Sequence, residues 1–199
     1  LHRRRHSFPT RRSSDLLDES ADGLARVKKI VQDLKDFSRV DQADWQLADL
    51  NAGLESTLNV VLHEVKYKAD IVRRLSPLPL VQCLAGQLNQ VFMNLIVNAS
   101  HAIDGHGTIT LSSGLQDDWA WVQIGDTGSG MSDEVLRRIF EPFYTTKAVG
   151  KGTGLGLAVV KKIADEHGTR VDIGNRTSDG QVVGAQVSLS LTVDPSAQT

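Results

Sequence analysis

The stretch "GQLNQVFMNLIVNASHAI" (residues 86–103) has the clearest helical period in the chain. Its apolar residues recur at spacings of three and four, which predicts a helix with one buried face. That face is formed by Leu88, Val91, Phe92, Leu95, Ala99, Ala102 and Ile103. Asn94 and Asn98 are four residues apart, so they lie one above the other, and His101 extends this polar stripe beside the buried face. Because amides at a core boundary require hydrogen-bonding partners, the stripe predicts that other polar groups meet the helix here.

Amphipathic segments of both kinds surround this helix. Alternation typical of strands occurs in "GTITLSS" (107–113), "WAWVQIG" (119–125) and "QVVGAQVSLSL" (181–191). In the last of these we expect an inward row of Val183, Ala185, Val187, Leu189 and Leu191. Further helical periods lie at 52–69, 132–143 and 155–167. This order predicts an α+β fold: a two-layer α/β sandwich whose mixed, mainly antiparallel sheet has helices on one face and water on the other.

The first 16 residues differ from the rest of the chain. They carry five arginines and one aspartate, so they contribute +4 to a formal net charge of −2, and residues 17–199 carry −6. A disordered basic tail and a nucleic-acid-binding arm are two interpretations of such a segment. We favour a third, because "HSFPTRRSSDL" (6–16) resembles a sequencing-adapter oligonucleotide translated in one frame. We therefore expect no nucleic-acid partner, and we expect the natural N-terminal part to be missing.

The remaining chain divides into a helix, a main domain and a tail. Residues 17–40 have apolar positions seven apart, which favours a bundle helix over one packed on its own domain. Residues 41–193 form the main domain and 194–199 a tail. No apolar run reaches the roughly 20 residues of a membrane span, and the single cysteine, Cys83, excludes an internal disulfide and a cysteine-cluster metal site. This composition predicts a cytoplasmic location.

The loop "DTGSGM" (126–131) follows a predicted strand and introduces the first candidate ligand contact. Aspartate before glycine is common in ordinary turns. If Asp126 instead faces a pocket, its carboxylate can accept a hydrogen bond from the exocyclic amine of adenine and would repel the carbonyl of guanine. Gly128 and Gly130 would then leave room for a flat base.

The stretch "KGTGLGL" (151–157) is a second candidate. Its glycine spacing matches neither the P-loop nor the dinucleotide fingerprint, and a flexible linker is the alternative interpretation. It opens a helix, however, and the free N–H groups and positive end of a helix favour a triphosphate. Lys147 and Lys151 add positive charge on the same loop.

Asn98 is a candidate metal ligand. Mg²⁺ takes one or two protein oxygens and completes its shell with water and phosphate. Asn94, one turn earlier, could hold a ligand water or brace the loop. The alternative is that the two asparagines are helix-capping amides.

Four short motifs together resemble the sensor histidine kinases, whose catalytic domain shares its nucleotide fold with type II topoisomerases, MutL and the large heat-shock chaperones. "NLIVNA" (94–99) is similar to the N box and "DTGSGM" (126–131) to the first glycine box. "FEPFYTTK" (140–147) is similar to the phenylalanine box and "GTGLGL" (152–157) to the second glycine box. Residues 17–40, with "DFSR" near their end, resemble the second helix of the dimerisation and phosphotransfer hairpin.

The resemblance implies an ATP-binding catalytic domain that uses Mg²⁺ and transfers the γ-phosphoryl group to a histidine, for relay to an aspartate of a response-regulator receiver domain. Asp126 would read adenine, Asn98 would ligate Mg²⁺, and residues 144–151 would form a lid. The residues expected to contact the nucleotide are Asn94, Asn98, Asp126, Gly128, Gly130, Phe143, Thr146, Lys147, Lys151, Gly152, Thr153, Gly154, Leu155 and Gly156.

One departure from the family pattern concerns the acceptor. The family places its acceptor histidine on the first hairpin helix, and no histidine here matches it. His63 is followed by an acid but lies in the helix at 52–69. The resemblance therefore implies a portion that depends on a hairpin supplied by the full-length protein, with a membrane association only through a missing sensor part, and we expect a mainly monomeric chain. The alternative is a nucleotide-binding or ATPase module that transfers no phosphoryl group.

Overall fold

The computed structural model describes residues 44–147 and 152–193. Within segment 17–40 it also describes a few residues, and all of these are helical: Ser20, Ala21, Gly23, Leu24, Val27, Lys28 and Val31. The predictions made for residues 1–16, for the rest of 17–40, for Lys151 and for 194–199 lie outside the described residues.

Residues 44–147 and 152–193 contain four helices and seven strands. The helices are α1 (Leu50–Val65), α2 (Ala85–Ala102), α3 (Asp133–Arg138) and α4 (Gly156–Glu166). The strands are β1 (Gln46–Ala48), β2 (Ala69–Leu75), β3 (Val81–Cys83), β4 (Gly107–Gln116), β5 (Trp119–Asp126), β6 (Arg170–Ser178) and β7 (Gln181–Thr192). None of the helices in the described part of the chain has the length and apolarity that a bilayer crossing needs.

The main sheet has five strands in the order β2-β4-β5-β7-β6. Only β2 and β4 pair in parallel, and the other pairs are antiparallel. Strands β1 and β3 form a separate antiparallel pair. The predicted fold class, a mixed and mainly antiparallel sheet in an α+β sandwich, is confirmed.

One face of the sheet is covered by helices and the other is partly open. On β5, Ala120 and Val122 are fully buried, whereas Trp119 and Trp121 on the opposite face are half-buried. Helix α2 packs against β4 and β5, with α1 and α4 on its two sides. Burial of its apolar face removes large side chains from water, and each such side chain contributes roughly 1.5–3 kcal/mol.

The helices differ in whether a side chain caps their first N–H groups. Asp49 caps α1 by accepting from the N–H groups of Asn51 and Ala52, and Ser132 caps α3 by accepting from Val135. Helices α2 and α4 begin after Leu84 and Leu155, and neither of these residues supplies a side-chain cap. The first N–H groups of such a helix have no partner within the helix itself.

Two predicted element ends are wrong. The helix predicted within 132–143, with a break at Pro142, already stops at Arg138, because a tight turn from Glu141 N–H to Arg138 C=O replaces helical bonding before that proline, which has no N–H to donate. The sequence also predicts a strand over 169–175 and a turn over 176–180, but strand β6 runs to Ser178, so the turn is confined to Asp179 and Gly180.

The inward row predicted for β7 fails at Val183, which is 39% exposed. The register of β6 and β7 shifts between Arg176 and Thr177, where the partner residues skip from Gly184 to Val182. One extra residue in a strand reverses the alternation beyond it. The bulge centres on Gly184, whose φ of 142° lies outside the range that a side chain tolerates.

The sequence predicts His167 at the C-terminal end of the helix over 155–167, where the helix dipole favours a histidine. In the structure this side chain also connects separate elements. Its Nε2 accepts from the N–H of Leu84, the residue before α2, so the proton lies on Nδ1, which donates to the carbonyl of Ile163. The ring of Trp45 lies against this imidazole at a tilt of 47°, with the ring centroids 4.9 Å apart. The neutral imidazole thereby joins α4, α2 and the chain before β1.

Replacing Gly184 by alanine should destabilise the fold, because the added Cβ would collide with the backbone carbonyl of Asp126 and the φ angle would be strained. We expect the free energy of unfolding in urea to fall by roughly 2 kcal/mol. Gly174→Ala is the matched control on the adjoining strand, since nothing lies within 4 Å of its Cβ position. Equal effects of the two substitutions would contradict the assigned role of the bulge.

Candidate functional site

A cleft opens where α2, the end of β5 and the first turn of α4 meet. Its walls are mostly apolar, and two of its polar residues, Asn98 and Asp126, come from distant parts of the sequence. The lining residues are Leu95, Asn98, Ala99, Ala102, Ile124, Asp126, Gly130, Met131, Ile139, Leu157, Ile173, Ala185 and Val187. The sequence segments predicted to form one site are thus adjacent in the fold.

Asp126 is the last residue of β5 and is only 6% exposed. Its Oδ1 accepts from the N–H of Gly128 at 2.8 Å and from the N–H of Ala185 on β7 at 3.2 Å. Among the described residues, none donates to Oδ2. The carboxylate is therefore fixed by one oxygen and presents the other to the cleft.

Burial raises the pKa of the Asp126 carboxyl above its ordinary value, because desolvation disfavours the charged form. The two backbone hydrogen bonds and the charge of Arg176 act in the opposite direction and offset part of this effect. Arg176 also donates from Nη1 to the main-chain carbonyl of Asp126 at 3.0 Å. A carboxylate, which is unfavourable to bury, is thus held away from water by contacts from the glycine loop, β6 and β7.

Gly128 and Gly130 of the 126–131 loop are both in close contact with other parts of the protein, and the room that they would leave for a base stays a prediction. A Cβ at Gly128 would strike the carbonyl of Ala102 at the end of α2, and one at Gly130 would strike Val182 and Asn175. Gly130 has a φ of 69° and lines the cleft, whereas Gly128 does not line it. Because neither glycine has a side chain, the loop can pack closely against the end of α2 and against β6 and β7.

The start of α4 lies against the asparagine stripe of α2. A Cβ added at Gly156 would be 3.6 Å from Asn94 Oδ1 and 3.7 Å from Asn98 Nδ2. The first turn of α4 is uncapped, so its N–H groups and positive dipole end lie beside these amides. This geometry can receive an anion next to a neutral oxygen ligand.

Gly154 contributes by contact with the phenylalanine-containing segment and does not line the cleft. Its carbonyl accepts from the N–H of Phe143 at 3.0 Å, and a Cβ at this position would collide with the Phe143 backbone. Phe143 itself has a φ of 67°, a strained value for a non-glycine residue, and its ring is exposed. The two motifs are therefore locked together through their backbones.

Lys147 folds back toward α2. Its N–H donates to Thr145 Oγ1, and its stem passes Gly152, where a Cβ would be 3.1 Å from Lys147 Cδ. The ammonium lies 2.9 Å from His101 Nδ1 and 3.4 Å from Asn98 Oδ1. The structure thus brings this predicted phosphate ligand to the predicted metal ligand.

The other predicted contacts are placed as follows. Thr146 is exposed and Thr153 half-buried. Leu155 is 1% exposed, so its side chain belongs to the core and only its backbone could meet a ligand.

Several residues of the site were missed by the sequence reasoning. Asn175 braces the glycine loop with two hydrogen bonds to the backbone of Met131, at 2.8 and 2.7 Å. Arg176 and Ala185 hold Asp126 from strands far along the chain, and no local pattern marks them. His101 did carry a signal, because it extends the stripe of Asn94 and Asn98.

The site can be compared with known proteins. The sequence signature described as "Histidine kinase-, DNA gyrase B-, and HSP90-like ATPase" matches residues 84–195. Two relatives are from Escherichia coli (strain K12). The chain is 30% identical over 169 residues to the sensor histidine kinase ZraS, an alignment that covers 84% of this chain and 36% of ZraS. It is 34% identical over 175 residues to the signal transduction histidine-protein kinase AtoS, which covers 85% of this chain and 27% of AtoS.

Solved structures agree. The catalytic domain of the histidine kinase ThkA, in a nucleotide-free form, superposes with a TM-score of 0.68 at 26% identity, covering 77% of this chain and 98% of that one. ThkA in complex with the response regulator protein TrrA gives a TM-score of 0.74 at 22% identity, covering 96% of this chain and 54% of that one, and shows likeness of fold.

The chain spans only about a third of the length of the curated relatives it matches. The predicted family is nevertheless confirmed, since the signature covers more than half of the chain. Residues of three of the four motifs, 94–99, 126–131 and 152–157, also line one cleft. The chain belongs to the family of histidine kinase-, DNA gyrase B- and HSP90-like ATPases.

Proposed function

We propose that this chain binds Mg-ATP in the cleft and transfers the γ-phosphoryl group to a histidine, as the catalytic portion of a sensor histidine kinase. The observation that carries the proposal is the convergence of one buried carboxylate oxygen, an amide oxygen and an uncapped helix start around a mostly apolar cleft. These groups suit a base, a metal and a polyphosphate respectively.

The adenine end of the proposal depends on Asp126. Its Oδ2 is an acceptor in a nearly dry position, and adenine offers an exocyclic amine to such an acceptor. Guanine would bring a carbonyl to the same place, and a carbonyl facing a buried carboxylate is strongly disfavoured. The apolar walls, including Met131 and Leu157, would hold the faces of the base.

The phosphate end depends on α4. Free N–H groups in its first turn can donate to phosphate oxygens, and the bare Gly156 leaves them accessible. Lys147 adds a positive charge beside them, and Lys151 belongs to the same proposed set. Gly152, Thr153 and Gly154 would contact phosphates mainly through their backbones.

The donor set fits Mg²⁺ when ATP supplies the remaining ligands. The described residues include no group of three or more His, Cys, Asp or Glu side chains able to hold a metal by themselves. Asn98 offers a hard neutral oxygen, Oδ1, which lies 3.4 Å from Lys147 Nζ, while its Nδ2 lies near the helix start. One such oxygen suits an ion that takes one or two protein ligands. When bound, the ion would neutralise the developing charge on the phosphates.

The chain's own residues would act by positioning. Phosphoryl transfer requires little covalent chemistry from the protein, so a fixed base, a held triphosphate and excluded water are the main contributions. The acceptor histidine would be supplied by a dimerisation hairpin, of which residues 17–40 would be the second helix. A response-regulator receiver domain would take the phosphoryl group next, and the structure of the histidine kinase ThkA in complex with the response regulator protein TrrA supports this partner.

Asp126→Asn should keep both backbone hydrogen bonds on Oδ1 and replace the accepting Oδ2 by a donating amide. We expect ATP affinity, measured by titration calorimetry, to fall about 10- to 100-fold, the value of one hydrogen bond to a charged group. The preference for ATP over GTP should shrink as well. Asp172→Asn, an exposed carboxylate on β6, is the matched control. Unchanged affinity in Asp126→Asn would refute the adenine assignment.

Isotope-labelled ATP tests the transfer itself. The chain is mixed with a two-helix hairpin that carries an acceptor histidine, and we expect Mg²⁺-dependent, acid-labile label on the hairpin. Asn98→Ala should remove most of the Mg²⁺ dependence because it deletes the ligand oxygen. Release of free phosphate with no labelled hairpin would instead favour an ATPase module that transfers no phosphoryl group.

A further inference from the structure

We propose that His101 is a positioning residue that holds the Lys147 ammonium at Asn98 Oδ1, so that this cation occupies the metal's place until Mg-ATP enters. This inference rests on the proposed function, because it concerns the same site. It gives a role to His101, which lies outside the four motif segments quoted above, and it explains part of the affinity of the site for Mg-ATP.

His101 is one of two residues of α2 that the Lys147 ammonium contacts. Lys147 Nζ lies 2.9 Å from His101 Nδ1 and 3.4 Å from Asn98 Oδ1, so the contact with the histidine is the closer one. An ammonium can only donate, and therefore Nδ1 is the unprotonated ring nitrogen and Nε2 carries the proton. His101 is three residues after Asn98 in α2, which places both acceptors on one side of the helix.

The backbone around Lys147 favours this inward position. The N–H of Lys147 donates to Thr145 Oγ1 at 3.2 Å, which closes a local turn. Gly152 leaves the space that the lysine stem fills, since a Cβ there would be 2.9 Å from Thr145 Oγ1 and 3.1 Å from Lys147 Cδ. The bare position at Gly152 therefore serves the lysine in addition to any ligand.

The ammonium and Mg²⁺ require the same oxygen lone pairs. Two cations within about 4 Å of each other also repel strongly at the edge of a protein. Lys147 must leave Asn98 before the metal is ligated, and the phosphates that arrive with the metal offer it a new partner. Binding of Mg-ATP thus breaks the contacts of the Lys147 ammonium with Asn98 and His101. The loss of these contacts lowers the measured affinity for Mg-ATP.

Nucleotide binding in His101 variants tests this exchange. His101→Ala removes the anchor but keeps the charge of Lys147, so the affinity for Mg-ATP should rise about two- to tenfold, the ratio that one net hydrogen bond supplies. The affinity for ATP in EDTA should change little, since no metal then competes for Asn98. His101→Gln, which retains an acceptor, should restore the wild-type value, and His106→Ala is the control for loss of an exposed histidine.

The outcomes separate the two proposals. If wild type binds Mg-ATP but His101→Ala binds it no more tightly, or tightens ATP equally with and without Mg²⁺, the exchange is refuted and the proposed function stands. If no variant binds ATP, the proposed function fails and the exchange fails with it.

A second readout needs no nucleotide. In the free chain, Lys147→Met should shift the ¹⁵N resonance of His101 Nδ1, because the ring loses its donor. An unchanged Nδ1 resonance would overturn the proposal, whatever the binding data show.

Discussion

The hydrogen bonds to Asp126 Oδ1 join three parts of the fold that are far apart in sequence. Gly128 donates from the glycine loop and Ala185 donates from β7, while the bulge at Gly184 brings β7 close enough to do so. A buried carboxylate without these donors would cost several kcal/mol. It follows that three elements must adopt their native positions together: the end of β5, the glycine loop and the β7 bulge. The adenine end of the cleft forms only when all three are in place.

Helix α2 links this end of the cleft to the other. One face, with Val91, Phe92 and Ile96, fills the core, and the neighbouring stripe carries Asn94, Asn98 and His101 to the start of α4. Because the stripe is attached to the most buried helix, its amides are held on a rigid support. Among the described residues, Lys147 is connected to α2 by its side-chain contacts with Asn98 and His101.

Much of the fold follows from local patterns. Period, alternation and the capping signal at Ser132 predicted most elements and the helix-covered sheet. The bulge could not be predicted from local patterns, because an extra residue in β7 becomes apparent only when the strand is paired with β6. For this reason Val183 was wrongly predicted to face inward. In the site, the polar stripe of α2 and the glycines could be predicted from the sequence. The roles of Arg176 and Ala185 could not, because they depend on the register of the strands, which no short motif encodes. The sequence indicated a role for the glycines at 128 and 130, but it could not reveal their close packing against Ala102 and Val182, which depends on the tertiary fold.

The central claim is that one nucleotide touches both ends of this cleft at once. Backbone amide NMR of the chain, titrated with Mg²⁺ and a non-hydrolysable ATP analogue, tests it most directly. The account predicts saturable shifts at one common affinity in Gly128 and Ala185 at the carboxylate end and in Gly156 and Leu157 at the helix start. Shifts confined to one end, or located on another surface, would contradict it.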